Sequence, residues 1–282
     1  MRKLLSLFVL ALTIDAEPRR IISTAPSFTE TVYAIGAGDR VVGVSVHCHF
    51  PKEVEAVAKV GSYIRPNIEA IVRLKPDLVL VHKEQREVGA QLNRLGITTL
   101  ALTNTSLDDT FTSIREVGAA LGMTAQAGRL EQSIRGRLEA LRRTTSEQPR
   151  KRLLFVVGRT PGRLEGLVAV GKGSFLNELI AMAGGRNALA DSLVTYPRIS
   201  VEAVLRIDPD VIVDMGDMAD TVGVTEAHKQ DVLKLWQRQA DLKAVRSGRV
   251  YAVAADIFVV PGPRIAEAAE AFAKMLHQES SR

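Results

Sequence analysis

His47, Cys48 and His49 stand side by side, and adjacent imidazole and thiol groups are the raw material of a metal centre. Neighbours in extended chain point to opposite sides, so His47 and His49 converge. Two histidines still need further ligands, and His82, His228 and His277 offer no supporting spacing. A dedicated zinc site is therefore not expected; one member of the trio touching a bound ligand is the better reading. Cys48 is the only cysteine, which excludes an internal disulfide, a cysteine-ligated cluster and a four-cysteine zinc site. No GxGxxG, GxxxxGK[ST] or GxSxG is present. Gly171-Lys172-Gly173-Ser174 opens a helix but lacks the rest of a phosphate loop, so it reads as a tight turn.

Two glutamates and two tyrosines carry a different pattern. The chain reads NIEAIVRLKPDLVLV from Asn67 and SVEAVLRIDPDVIVD from Ser200. The copies match at Glu69/Glu202, Ala70/Ala203, Arg73/Arg206, Pro76/Pro209 and Asp77/Asp210, and most other positions exchange one aliphatic residue for another. Tyr63 and Tyr196 stand at the same distance before their copies. Each half thus offers one aromatic ring ahead of a capped helix. Rings facing across a cleft suit a large flat ligand, with stacking contributing on the order of 1 kcal/mol per contact beyond burial. The competing reading has both rings sealing the local core.

The elements that position these groups follow from periodicity. Asn67 is an N-cap, and Glu69 falls in the first turn, where the helix dipole favours a carboxylate. Ile68, Ile71, Val72 and Leu74 form an apolar stripe. Lys75-Pro76-Asp77 stops the helix, and Leu78 to Val81 is a continuous apolar run, the mark of a buried parallel strand. Before this, Ile21-Ile22 is strand-like, Ser27 with Glu30 reads as a capping box, and Thr31 to Ile35 continues that helix. A helix over Gln85 to Leu95 and the strand ITTLALT come next. Strand candidates then disappear from Leu107 to Gln148. Leu130, Ile134, Leu138 and Leu141 recur at helical spacing, and one helix over Thr124 to Thr144 spans ~30 Å. Alternation resumes with RLLFVVG, SFLNELIAMAG, the second copy, a helix near Val232 to Gln239, RVYAVAA and a final helix from Arg264 to His277. The expected organisation is a leader over 1–16, an α/β lobe over 17–123, a linker helix over 124–148 and a second α/β lobe over 149–282.

Composition narrows the function. The 282 residues are 46% hydrophobic and carry a net charge of +5, but the basic residues are scattered and aromatics reach only 5%, which argues against nucleic acid as a partner. MRKLLSLFVLALTIDA has two cations, a short apolar run and a small residue at Ala16, the layout of a secretory signal, although Ile14 is poor for cleavage. The run is too short to span a bilayer. No cysteine follows it for lipid attachment, so the expected product is exported and soluble. Ligands of doubly wound sheets sit beyond the carboxyl ends of the strands. The loops there make Pro26, Ser27, Cys48, Phe50, Tyr63, Tyr196 and Phe258 the candidate ligand-binding residues.

The segments IISTAPSFTETVYAIGAGDRVVGVS, KVGSY with NIEAIVRLKPDLV, GSFLNELIAMAGGRN, YPRISVEAVLRIDPDVIV and SGRVYAV with PGPR together resemble the periplasmic binding proteins of ABC importers for vitamin B12, haem and iron siderophores. The resemblance covers essentially everything after the leader. It implies an α/β fold of two Rossmann-like lobes joined by a single long helix, with ligand held between the lobes and no reaction catalysed. It also implies that Glu69 and Glu202 dock onto arginines of a two-fold permease dimer, which works with its ATPase subunits. Charge pairs of that kind steer and orient more than they tighten. The resemblance is closest to cobalamin-binding members, whose cleft carries aromatics at the places of Tyr63 and Tyr196, tryptophan in the best-known version. Cobalamin is therefore the expected ligand of a periplasmic monomer without a cofactor of its own. Haem is the alternative, because tyrosine ligates haem iron in related proteins. A ferric siderophore held by Arg65, Arg159, Arg163 or Arg198 is another. An enzyme on a two-lobed scaffold is the remaining reading, with neither a nucleophile–base motif nor a metal motif to support it.

Overall fold

The computed structural model describes residues 17–216 and 225–277; the leader expected over 1–16 lies outside them. The first half builds strands β1 (Ile21–Ser23), β2 (Val41–Val44), β3 (Ala58–Lys59), β4 (Leu78–His82) and β5 (Thr99–Leu102), with helices α1 (Pro26–Ala34), α2 (Ile68–Arg73), α3 (Arg86–Arg94) and α4 (Leu107–Ala120). Helix α5 (Thr124–Thr145) follows. The second half builds β6 (Arg152–Gly158), β7 (Leu167–Ala169), β8 (Arg186–Asn187), β9 (Arg198–Ile199), β10 (Val211–Asp214) and β11 (Val250–Ala252). Its helices are α6 (Phe175–Met182), α7 (Val201–Ile207), α8 (Glu226–Gln237), α9 (Lys243–Arg246) and α10 (Ile265–His277).

The first sheet has the order β3-β2-β1-β4-β5 and is parallel throughout. The second has the order β11-β10-β6-β7-β9, with β8 beside β6. Here β7 runs antiparallel to both β6 and β9, so the second sheet is mixed. The fold is α/β with two sheets and a long intervening helix.

The duplicated phrase folds the same way twice. Asn67 and Ser200 cap α2 and α7 by accepting the backbone N–H of Ala70 and Ala203. Each helix is stopped by a residue in the left-handed region, Lys75 at φ 46° and Asp208 at φ 45°, directly before the proline. Helix α2 then leads into β4, and α7 into β10. Each helix runs antiparallel to the strand it feeds, so its N-terminus lies at the carboxyl edge of the sheet. Tyr63, Glu69, Tyr196 and Glu202 are thereby brought to the edge where ligands of such sheets bind.

Apolar packing divides into three clusters. One lies on the outer side of the first sheet around Ile22, Ile71, Val79 and Leu92. Another lies on the outer side of the second, around Trp236 and Leu154. The largest runs through the middle and joins both halves, from Phe28 and Phe111 through Ile134 and Leu138 of α5 to Phe155 and Phe272. Helix α5 is therefore not a free rod. It packs against α4, α6 and α10, and burial of its narrow stripe fastens it to both halves. Its wet face carries the Arg142–Glu139–Arg143 pairs, and Glu131 pairs with Arg135 on the same helix and with Arg115 of α4. Among the described residues, no helix is long and apolar enough to cross a membrane.

The capping box expected at Ser27 does not form. Helix α1 starts at Pro26 with Ala25 as its N-cap and no side-chain cap. Ser27 is inside the helix, where its hydroxyl accepts from Asn104 at 2.6 Å. Glu30 faces the second half of the molecule rather than its own N-terminus.

Candidate functional site

Tyr63 and Tyr196 come from opposite halves, and each keeps 43% of its surface exposed. The Tyr196 hydroxyl lies 3.1 Å from the Ser174 hydroxyl, which also caps α6. Burial pushes the Tyr196 phenol above its usual range; the Ser174 hydrogen bond pulls it down and the nearby Tyr63 phenol pushes it up again. His47 meets the Tyr63 ring edge-on, with 5.7 Å between centroids. Val46, Phe50 and Ile64 from the first half and Leu193 and Val194 from the second are exposed apolar neighbours in sequence of these loops. Exposed apolar residues in these loops make them candidates for a binding surface.

The other candidates divide between surface and interior. Phe50 is exposed, with the Arg264 guanidinium 4.0 Å over its ring. Pro26 is half-buried at the first turn of α1. Ser27 is buried against Asn104. Cys48 is only 1% exposed, with its sulfur 3.2 Å from the Thr29 hydroxyl, and burial pushes its thiol up to about 11. It supports the loop from beneath and offers no surface to a ligand. Phe258 corrects the expectation more sharply. It is 2% exposed and packs on Phe155 and Phe272, at 5.8 and 5.1 Å between ring centroids, as part of the central core. A lone aromatic in a loop carries no local sign of which way it turns.

Among the arginines considered for an anionic ligand, Arg159 is committed elsewhere. Its Nε donates to Asp214 at 3.1 Å inside the second half, and Trp236 donates to the same carboxylate oxygen at 2.6 Å. Arg65, Arg163 and Arg198 are exposed. Arg163 and Arg198 line a recess of about 840 Å³ together with Glu202, Leu205 and Arg238. Glu69 and Glu202 are solvent-facing in the first turns of α2 and α7. Hydrogen bonding from Ser200 and from its own backbone N–H holds the Glu202 carboxyl below the usual range, so it is ionised at neutral pH. Among the described residues, no three His, Cys, Asp or Glu side chains cluster to hold a metal ion. Three contributors were not apparent from the sequence: Ser174, Asn104 and Arg264. The first two look like ordinary cap and loop residues, and Arg264 is part of a PGPR turn whose partner is remote.

Comparison with known proteins identifies the family of the fold. The family model described as "Periplasmic binding protein" matches residues 21–257. The chain is 33% identical over 276 residues to the uncharacterized ABC transporter substrate-binding lipoprotein YvrC of Bacillus subtilis (strain 168), covering 95% of this chain and 83% of that protein. The solved structure of the periplasmic vitamin B12-binding protein BtuF of Vibrio cholerae superposes with a TM-score of 0.77 at 29% identity, covering 94% of this chain and 99% of that one. The periplasmic heme-binding protein RhuT of Roseiflexus sp. RS-1, in apo form, gives 0.76 at 27% identity, covering 92% and 99%.

Proposed function

This chain belongs to the periplasmic binding protein family, whose relatives here are substrate-binding transport proteins and not enzymes, and from that premise we propose that it captures a corrinoid, cobalamin, between its lobes and hands it to an ABC importer. The observation that carries the ligand is the pair of half-exposed tyrosines at matched places in the two halves, with exposed apolar residues close to each in the sequence. A corrin or porphyrin has two broad faces and ionic or amide groups at its rim. Aromatic rings offered from two sides suit the faces, and a wet margin suits the rim. The vitamin B12-binding relative supports the corrinoid choice.

Glu69 and Glu202 serve in this reading as the two contacts with the permease. Equal acidic first turns on both lobes are what a two-fold symmetric partner needs, and arginines on that partner complete the pairs. The basic and apolar leader over 1–16 supports export to the periplasm. The YvrC relative is named a lipoprotein, so membrane fractionation of the expressed protein is part of the test.

Haem is the second reading, and the heme-binding relative together with an exposed tyrosine at the matched place in each half favours it over a siderophore. Parallel titration with cyanocobalamin, haemin and a ferric siderophore separates the three. Saturable heat with cyanocobalamin at micromolar affinity or tighter is expected. No saturation with cyanocobalamin, together with a Soret shift on haemin that vanishes in Tyr63→Ala or Tyr196→Ala, assigns haem instead.

A further inference from the structure

We propose that Arg264 is a positioning residue for ligand capture: from the second lobe it sets the angle between the lobes and holds the Phe50 wall of the cleft, through a buried two-bond ion pair with Glu30 on the first lobe. The inference rests on the reading that ligand binds between the lobes.

The geometry is specific. Arg264 Nε donates to Glu30 Oε2 at 3.0 Å and Nη2 donates to Oε1 at 2.5 Å, the fork-to-carboxylate arrangement that fixes direction as well as distance. The Glu30 side chain is 3% exposed and that of Arg264 15%. The flat face of the same guanidinium covers Phe50 at 4.0 Å, a contact that restrains an otherwise exposed ring. One cation thus reaches two separate elements of the opposite lobe, α1 and the loop after β2.

The turn that carries Arg264 is pressed against the same helix. A Cβ added at Gly262 would come within 3.2 Å of Ser27 Cα and 3.5 Å of Glu30 Oε2. That closeness leaves no room for the turn to slide along α1. A second seam runs beside it. Phe175 N–H donates to Thr105 O at 3.1 Å, Leu107 N–H donates to Glu178 Oε1 at 3.0 Å, and the Thr110 hydroxyl reaches Pro261 O at 3.5 Å. Arg137 on α5 binds Glu270 on α10 at 2.9 Å, which ties the linker to the helix that Arg264 begins.

Opening the lobes along this line would break both bonds of the fork and lift the guanidinium from Phe50, so the closed arrangement is favoured by the sum of these contacts. Burial already pushes the Glu30 carboxyl above its usual range, and the Arg264 hydrogen bond and charge pull it back. The lobes are therefore held at a preset angle without ligand. The clamp acts together with the core that α5 shares with both halves in setting that angle.

The test places spin labels at Arg94→Cys on the first lobe and Gln237→Cys on the second, and measures their separation in ligand-free protein. The unmutated clamp gives one narrow distance. Arg264→Lys keeps a positive charge but loses the fork, and it broadens the distribution; Arg264→Ala broadens it further. The charge swap Glu30→Arg with Arg264→Glu narrows it again relative to Arg264→Ala. Cyanocobalamin dissociation, followed in the same variants, speeds by about tenfold while association changes little, because pre-organised sites lose affinity mainly through dissociation. A distance distribution in Arg264→Lys as narrow as that of the parent overturns the proposal. The distance measurement needs no ligand, so its outcome is independent of whether the corrinoid reading stands.

Discussion

Asp77 and Asp210 do the same work at matched places in the two lobes. The Asp77 carboxylate accepts the backbone N–H groups of Arg19 and Arg20, at 2.8 and 2.9 Å, just before β1. The Asp210 carboxylate accepts the backbone N–H of Arg152 at 2.8 Å, the first residue of β6. The arginines return the contact. Arg20 donates to the Leu74 carbonyl at 2.7 Å and Arg152 to the Ile207 carbonyl at 2.8 Å, covering carbonyls that the helix ends leave open. The repeated phrase is thus a staple between a helix end and the strand beside it, with its glutamate left facing solvent.

Removing either staple lowers stability without touching the cleft. Asp77→Ala and Asp210→Ala each cost ~0.5–1.5 kcal/mol, the net range for hydrogen bonds whose freed donors are reached by water. Denaturant midpoints measure this, and ligand titration of the same variants stays unchanged. A midpoint equal to the parent's in both variants removes the staple.

In the corrinoid reading Tyr63 and Tyr196 contribute through their rings. Tyr63→Ala and Tyr196→Ala each weaken cobalamin binding by about fivefold, corresponding to a stacking contribution on the order of 1 kcal/mol. Tyr→Phe at either position leaves calorimetric affinity for cobalamin nearly intact. Loss of binding in a Tyr→Phe variant points instead to the hydroxyl, as iron ligation would require.

Docking and capture are separable. Glu69→Arg combined with Glu202→Arg leaves the ligand dissociation constant within about twofold, because both carboxylates are solvent-facing and carry no core packing. Uptake through the cognate importer in vesicles stops. Transport at the parent's rate in the double variant refutes the docking role.

Cys48 gives the protein an alkaline limit. Its thiol is pushed to about 11 from 9.0, chiefly by burial, with Thr29 pulling the other way. The folded state holds the proton more tightly than the unfolded chain. The contribution is therefore complete below pH 9 and is lost as pH rises through about 11. It amounts to roughly 2–3 kcal/mol. Unfolding midpoints measured across this window fall in the parent and flatten in Cys48→Ala. At pH 8 a thiol reagent reacts only as the protein unfolds; rapid labelling of native protein at that pH contradicts the burial.

How far the chain could be read depended on how local each cue was. Asn67 and Ser200 each cap a helix within three residues, so their role was visible at once. RLLFVVG announced β6 over Arg152–Gly158 because a strand buried on both faces is apolar throughout. Ser27 with Glu30 misled for the same reason. The spacing of a capping box is local, but the partner that claims Glu30 is Arg264, 234 positions away. Phe258 and Cys48 lie in loops at the binding edge yet turn inward, and no periodicity in a loop reports direction.

By itself the sequence determined the alternation of strands and helices, the long helix between two units, the twin capped turns and the glutamates they expose. These depend on hydrogen bonds and apolar spacing within a few residues of one another. Only the tertiary structure decided which loop residues are exposed and which turn into the core, that one apolar cluster passes through both lobes, and that Arg264 grips Glu30 and Phe50 from across the junction. Those outcomes depend on which surfaces of distant elements meet when apolar area is buried, a property of the packed whole.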